Sequence, residues 1–406
     1  MDIAKFKDII RKLSIFRNYS PLLVPVVVAV VAGLLFIPTQ LMSGKLKKQI
    51  ASESVSMGRR VQSLGKTVPA REQWKVEQAY QQDYEADANQ MALLAMQSSQ
   101  RQLLSYKIFP EPKDTSTLIF GEFGRRFRTG IEQLLGRLNA RDCPTVAELE
   151  RSLLSSGSPV RGVGRRRSTR NLSEVEATIT DALCRAKAES ASVYANLTGL
   201  SGYDFWAEYE YAGMEQAVKE CWYWQLGYWI IEDVIDTIAA CNSGSDSVFA
   251  SPVKRLMSVS FTASGAGSRK KTVGDRPSYV LSIGDELAGS FTERFCDDDI
   301  DVVHFNVVVV VTAKAVLPFM QQLCSAKGHT FQGFLGELER PQTFEHNQIT
   351  ILESNIASVD RESEEHTLYR YGEDAVVELS LVCEYIFNKD GYDKLKPESV
   401  KKELGS

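Results

Sequence analysis

The 406-residue sequence predicts an α+β protein with a single N-terminal transmembrane helix and a helical stalk. Three observations predict it. An uncharged apolar run lies near the N-terminus, a long segment rich in strong helix formers follows it, and from Val253 the apolar period changes from 3.6 to 2. The composition is otherwise ordinary. Lys and Arg number 47 against 52 Asp and Glu, for a net charge of −5. That balance excludes a globally basic nucleic-acid binder and a supercharged disordered chain.

Residues 1–20 read as a short cytoplasmic tail. From Asn18 to Gly44 no residue is charged, and Leu22 to Ile37 reads LLVPVVVAVVAGLLFI. Extension to Pro21 and Pro38 gives 18 residues, about 27 Å as a helix. The hydrocarbon core is roughly 30 Å, so a membrane helix is expected over 21–41. Leu22, Val26, Val30, Leu34 and Ile37 are its membrane anchor, in contact with lipid. Five basic residues precede the span (Lys5, Lys7, Arg11, Lys12, Arg17) and five follow it (Lys45, Lys47, Lys48, Arg59, Arg60), so charge alone does not orient it. Long C-terminal regions translocate largely regardless of charge, which favours a single pass with the bulk of the chain periplasmic.

Residues 42–106 form the stalk. Arg71 to Ser105 is rich in helix formers, with an apolar stripe of Trp74, Val76, Tyr80, Met91 and Leu94 that breaks between Gln81 and Gln90. This is an amphipathic or coiled-coil helix rather than a regular heptad array. It packs on its own chain or pairs with a partner subunit, and Trp74, Tyr80 and Leu94 are the candidate interface residues. Phe109-Pro110-Glu111-Pro112 ends the helix.

Residues 107–200 read as a helical region. Thr145 with Glu148 has the spacing of a capping box. The segment 155–170 is a Ser/Gly/Pro linker carrying Arg161, Arg165, Arg166, Arg167 and Arg170. A solvated linker and an anionic partner are its two readings. It has no interleaved aromatics, so no nucleic acid is expected. Asn171 to Ala195 is a helix.

Residues 201–390 form the α+β domain, with 391–406 as a C-terminal tail. Tyr203 to Ala240 is a helix carrying Trp206, Trp222, Trp224 and Trp229. Such aromatic density means core packing or a subunit interface, with Trp222 and Trp229 as candidates for the latter. Strands follow at Val253–Phe261, near Tyr279–Ile283, at 301–312, at His346–Val359 with a bulge near Glu353, and at Ala375–Phe387. Thr312 caps a helix containing Val316, Phe319, Met320 and Leu323, which Gly328 ends. Two helix–strand–strand units make one antiparallel four-stranded sheet with helices on one face, a ferredoxin-like αββαββ sandwich.

No catalytic, cofactor or metal motif is present. His304, His329, His346 and His366 have no second His at ligand spacing, and His366 reads as a surface neighbour of Glu362. Asp297, Asp298, Asp299 and Asp301 read as a solvated loop. The seven cysteines are dispersed, without a CxxC pair, and their pairing stays open.

The chain resembles the PilO-like and GspM-like inner-membrane scaffold proteins of type IV pilus and type II secretion machines, including Amuc-type pilus-associated relatives. HFNVVVVVTAKAVLPFMQQLCSAKGHTFQGF looks like their strand, short helix and strand. TLYRYGEDAVVELSLVCEYIFN looks like their closing strand, and the ending YDKLKPESVKKEL looks like the Amuc-type relatives. The arginine linker, the aromatic helix and residues 107–200 depart from that pattern. The resemblance implies a non-enzymatic scaffold with no cofactor. It implies homo- or heterodimers built through the coiled coil and the ferredoxin-like domain, with other machine subunits as partners. A membrane-anchored periplasmic ligand-binding or sensing module is the alternative.

Overall fold

The computed structural model describes residues 20–67, 71–114, 116–155, 174–261, 275–283, 289–290, 292–334 and 340–404. The expected tail and most of the arginine linker lie outside them. The chain divides into two units, Met1–Ala88 and Asn89–Ser406.

The first unit is helical. Helix α1 spans Ser20–Thr67, and α2, Arg71–Ser98, begins in this unit. Among the described residues no helix is long and apolar enough to cross a membrane. That overturns the membrane helix expected over 21–41. Helix α1 runs on without a break through Lys45, Lys47, Lys48, Arg59 and Arg60. Of the expected anchor residues, Val26, Val30 and Leu34 are exposed on α1. The side chains of Leu22 and Ile37 lie outside the described ones.

The second unit is α+β. Its further helices are α3 (Leu118–Arg137), α4 (Val146–Ser155), α5 (Glu174–Glu189), α6 (Tyr203–Ala207), α7 (Met214–Cys241), α8 (Val316–Leu323) and α9 (Glu398–Leu404). Its strands are β1 (Ala140–Arg141), β2 (Val193–Ala195), β3 (Val253–Ser260), β4 (Ser282–Ile283), β5 (Gly289–Ser290), β6 (Ile300–Thr312), β7 (Lys327–Phe331), β8 (Gln342–His346), β9 (Ile349–Ser358) and β10 (Val376–Asn388). Six of them form one mixed sheet in the order β1-β2-β3-β6-β10-β9. The expected four-stranded antiparallel sheet is therefore corrected. Strands β3, β6, β10 and β9 are antiparallel to their neighbours, and β2 and β1 extend the β3 edge in parallel. Those two extra strands come from the region read as helical. They are so short that no alternation marks them.

The core forms around α7, which is buried on nearly every side. A helix apolar all round needs cover all round. The sheet supplies one side through Val303, Phe305, Val307, Val309 and Val311, and α3 supplies another through Phe123, Phe127 and Ile131. Close approach is built into α3. A Cβ at Gly124 would sit 2.5 Å from the Trp206 ring, and one at Gly130 would sit 2.7 Å from Tyr228. Trp222 and Trp229 lie in this core, so they offer no surface to a partner. The aromatic helix is also broken: α6 ends at Ala207 and α7 starts at Met214.

Other boundaries move for local reasons. Thr312 makes no capping hydrogen bond, because a 3-10 turn, Ala313–Ala315, intervenes before α8. Gly328 does not end α8 but lies in β7, while Lys327 Nζ donates to the carbonyls of Leu323 (2.7 Å) and Ser325 (3.1 Å) and closes the helix end. The strand expected over 346–359 is β9, which starts at Ile349, while His346 closes the preceding strand, β8. The bulge in it is real: Val382 pairs with Glu353 and Cys383 with Ile351, leaving Leu352 as the extra residue.

The capping box at α4 is formed. The Thr145 amide donates to Glu148 Oε2 at 2.8 Å and the Glu148 amide to Thr145 Oγ1 at 3.3 Å. The Lys187 hydrogen bond, followed by that from Thr145, holds the Glu148 carboxyl down at about 2. Thr145→Ala is expected to cost about 1 kcal/mol, read as a lowered urea midpoint with an unchanged slope.

Candidate functional site

Immediately after α2 the chain runs extended, and burial alternates along it. Ser99, Arg101, Leu103 and Ser105 are buried, while Gln102 is exposed. This strap has no strand partner, so side chains satisfy its backbone. Trp229 Nε1 donates to the Gln102 carbonyl at 2.8 Å, and the Leu104 amide donates to Gln225 Oε1 at 2.8 Å. Ser99 Oγ accepts from the Asn388 amide at 2.8 Å and from Gln348 Nε2 at 2.9 Å.

Beneath the strap lies the densest buried cluster of ionisable groups. Arg101 Nη1 and Nη2 clasp Asp233 at 3.0 and 2.9 Å, and Nη2 also reaches Glu232 at 2.7 Å. The Tyr385 hydroxyl donates to Asp233 Oδ2 at 2.7 Å, and His346 Nε2 meets the same oxygen at 2.8 Å. His346 Nδ1 lies 2.9 Å from Nδ1 of His329, whose Nε2 lies 2.9 Å from the Gln100 carbonyl. Three elements position these groups: α7 carries Asp233 and Glu232, the β7–β8 hairpin carries both histidines, and β10 carries Tyr385.

Charge sets the protonation states. Burial alone raises an aspartate, but the Arg101 charge and the His346 hydrogen bond outweigh it and hold Asp233 well below the usual carboxylate range. Burial likewise disfavours the Arg101 cation, and Asp233 outweighs it. Burial first, then the Arg101 and His346 charges, lower His329 to about 4. His329 is therefore the neutral ring.

The arrangement orients and holds protons. Asp233, His346 and His329 stand in the order of a general-base relay, but the chain of hydrogen bonds ends on a backbone carbonyl rather than on a nucleophile. Among the described residues no group of His, Cys, Asp and Glu is placed to hold a metal ion.

Sequence reasoning missed this cluster because separations of 17 to 284 residues divide its members. The legible signal was Asp233 itself, one of three carboxylates set among the apolar residues of Trp229–Ile238 in α7. Other expected surface groups are also buried. His366 lies in the interior with Nδ1 2.8 Å from the Tyr371 hydroxyl. Asp301 is not in a solvated loop but buried against Lys396 at 2.6 Å. All seven cysteines are free. Trp74, Tyr80 and Leu94 are exposed on α2. A separate cleft of about 800 Å³ is lined by Arg185, Arg361, Tyr369 and Arg370 among others. Its arginines are engaged by Asp181 and by backbone carbonyls.

Compared with protein-family models, curated proteins and solved structures, the chain matches none.

Arg101→Met takes the guanidinium away from the buried Asp233 carboxylate and from Glu232. A loss of about 3–5 kcal/mol is expected, and Asp233→Asn in the same chain should recover part of it in urea unfolding. Stability should also depend on acid. The unfolded His binds its proton near pH ~6.5, whereas folded His329 does so only at about 4. The contribution of His329 to stability is therefore complete above the unfolded value and falls as pH drops through that window. Asp233, depressed in the fold, adds a further loss below about pH 3.9. Urea midpoints measured across this range check both steps.

Proposed function

We propose that the chain is an assembly subunit that associates with a second copy through its N-terminal helices. The observation that carries this reading is the run of large apolar side chains standing exposed on α1 and α2. On α1 these include Leu46, Ile50, Met57 and Leu64, at intervals of four, seven and seven residues. On α2 they include Tyr80, Tyr84, Met91 and Leu94, at intervals of four, seven and three. Each set follows one heptad stripe, the seam by which helices pair. Burying such side chains is worth roughly 1.5–3 kcal/mol each. Eight of them on each copy outweigh an association cost of roughly 4–15 kcal/mol.

The narrower form of the proposal places this subunit, with its bulk in the periplasm, in a pilus or secretion apparatus, with that machine's other subunits as partners. It is supported by the resemblance of residues 301–387. It is also supported by the order of elements in the second unit, where α7 precedes β3 and β6, and α8 precedes β9 and β10. The ligand-binding alternative loses its aromatic platform, since Trp222 and Trp229 are in the core.

Sedimentation velocity on the full chain tests the assembly. The wild type is expected to be dimeric or larger, and Ile50→Glu with Met57→Glu to shift it to monomer without loss of helical signal. A wild-type monomer at every concentration, or an oligomer indifferent to both charges, would overturn it.

A further inference from the structure

The protons on the two buried imidazoles can be counted from their partners. A backbone carbonyl only accepts, so His329 Nε2 donates to Gln100. An ionised carboxylate only accepts, so His346 Nε2 donates to Asp233. The two Nδ1 atoms stand 2.9 Å apart, which requires one proton between them. Two neutral rings supply two N–H groups, and this geometry uses three. We infer that the His329–His346 pair carries one proton in excess of neutrality, and that giving it up releases the β7–β8 hairpin from α7 and the strap. This inference does not rest on the assembly reading.

The surroundings fit a single positive charge on the pair. The strap contributes Arg101, α7 contributes Glu232, Asp233 and Asp236, β10 contributes the Tyr385 phenol, and β7 contributes Lys327. Arg101 and the imidazolium together balance Asp233 and Glu232. Lys327 is occupied with the end of α8. His329 is the neutral acceptor ring, so the charge resides on His346, directly against Asp233.

When the excess proton leaves for solvent, two nitrogen lone pairs face each other at contact distance. The central hydrogen bond is then gone, and the rings repel. The ladder within the hairpin is unaffected, because β7 and β8 pair through their own backbone. What is lost is the hairpin's side-chain hold on α7 and on Gln100 of the strap. The device is therefore a latch, closed by a proton and opened as pH rises.

Side-chain ¹⁵N spectra of the full-length protein test the proton count directly. The expected result is one imidazolium and one neutral ring with its proton on Nε2. Two neutral rings in the folded protein would overturn the inference. Hydrogen exchange, corrected for its intrinsic pH dependence, tests the latch. Amides of 327–331 and 342–346 should exchange about tenfold faster once the imidazolium signal is lost, as expected for one missing buried hydrogen bond. The β6 and β10 amides should not change. Unchanged hairpin exchange would leave no latch. In His346→Gln the donor to Asp233 remains and the titration is gone, so the pH dependence should vanish. If that variant does not fold, the wild-type spectra and exchange still decide.

Discussion

An arginine and an aspartate, both almost free of water, hold each other at 2.9 Å inside the Asn89–Ser406 unit. Neither is tolerable there alone, because a buried charge without a partner carries most of its desolvation cost uncompensated. The pair is therefore a constraint before it is a source of stability. Arg101 arrives on the strap and Asp233 on α7. Each is in place only if the strap lies across α7 in one register. Tyr385 and His346 close on the remaining lone pairs of Asp233, which commits β10 and the β7–β8 hairpin to the same arrangement. Four segments distant in sequence are thus made to agree on one point.

The rest of the second unit is organised so that this point can be dry. The stripe of α7 that carries Asp233 also carries Trp229 and Trp222, one and three turns earlier. Trp222 stacks on Tyr392 at 5.7 Å and meets Phe109 edge-on at 5.2 Å, and its indole N–H donates to Tyr279. The strap carries no ladder, so each of its polar atoms must find a side chain. Trp229, Gln225 and His329 are used that way. Aromatic and polar residues of α7 are thus two halves of one task, covering the strap and paying its hydrogen-bond debt.

Periodicity made part of this legible. The apolar pattern in residues 301–312 and 375–387 located β6 and β10 to within a residue, although only β10 carries its burial mostly in every second position and β6 is buried on both faces. Thr145 and Glu148 announced their cap by spacing alone. The failures have a common cause. Strands β1 and β2 are too short to show a period. The hairpin that joins His329 to His346 lies where a helix end and a loop were expected, so each histidine was judged singly. Trp222 and Trp229 had the chemistry of an interface, and only the sheet and α3 closing on both sides of α7 show that they face inward. For residues 21–41, hydropathy described an apolar run correctly, but α1 continues past it for about seven further turns of more polar helix.

A strap held by side chains differs in kind from a strand held by a ladder. Backbone hydrogen bonds do not titrate between pH 4 and 9, whereas imidazole and carboxylate do. The strand-to-strand ladder of β3-β6-β10-β9 is thus indifferent to pH over that range. The strap is not, since its hold passes through His329, His346 and Asp233. It also follows α2 directly. The strap's attachment is thus built from groups that gain and lose protons, and the strand-to-strand ladder from groups that do not.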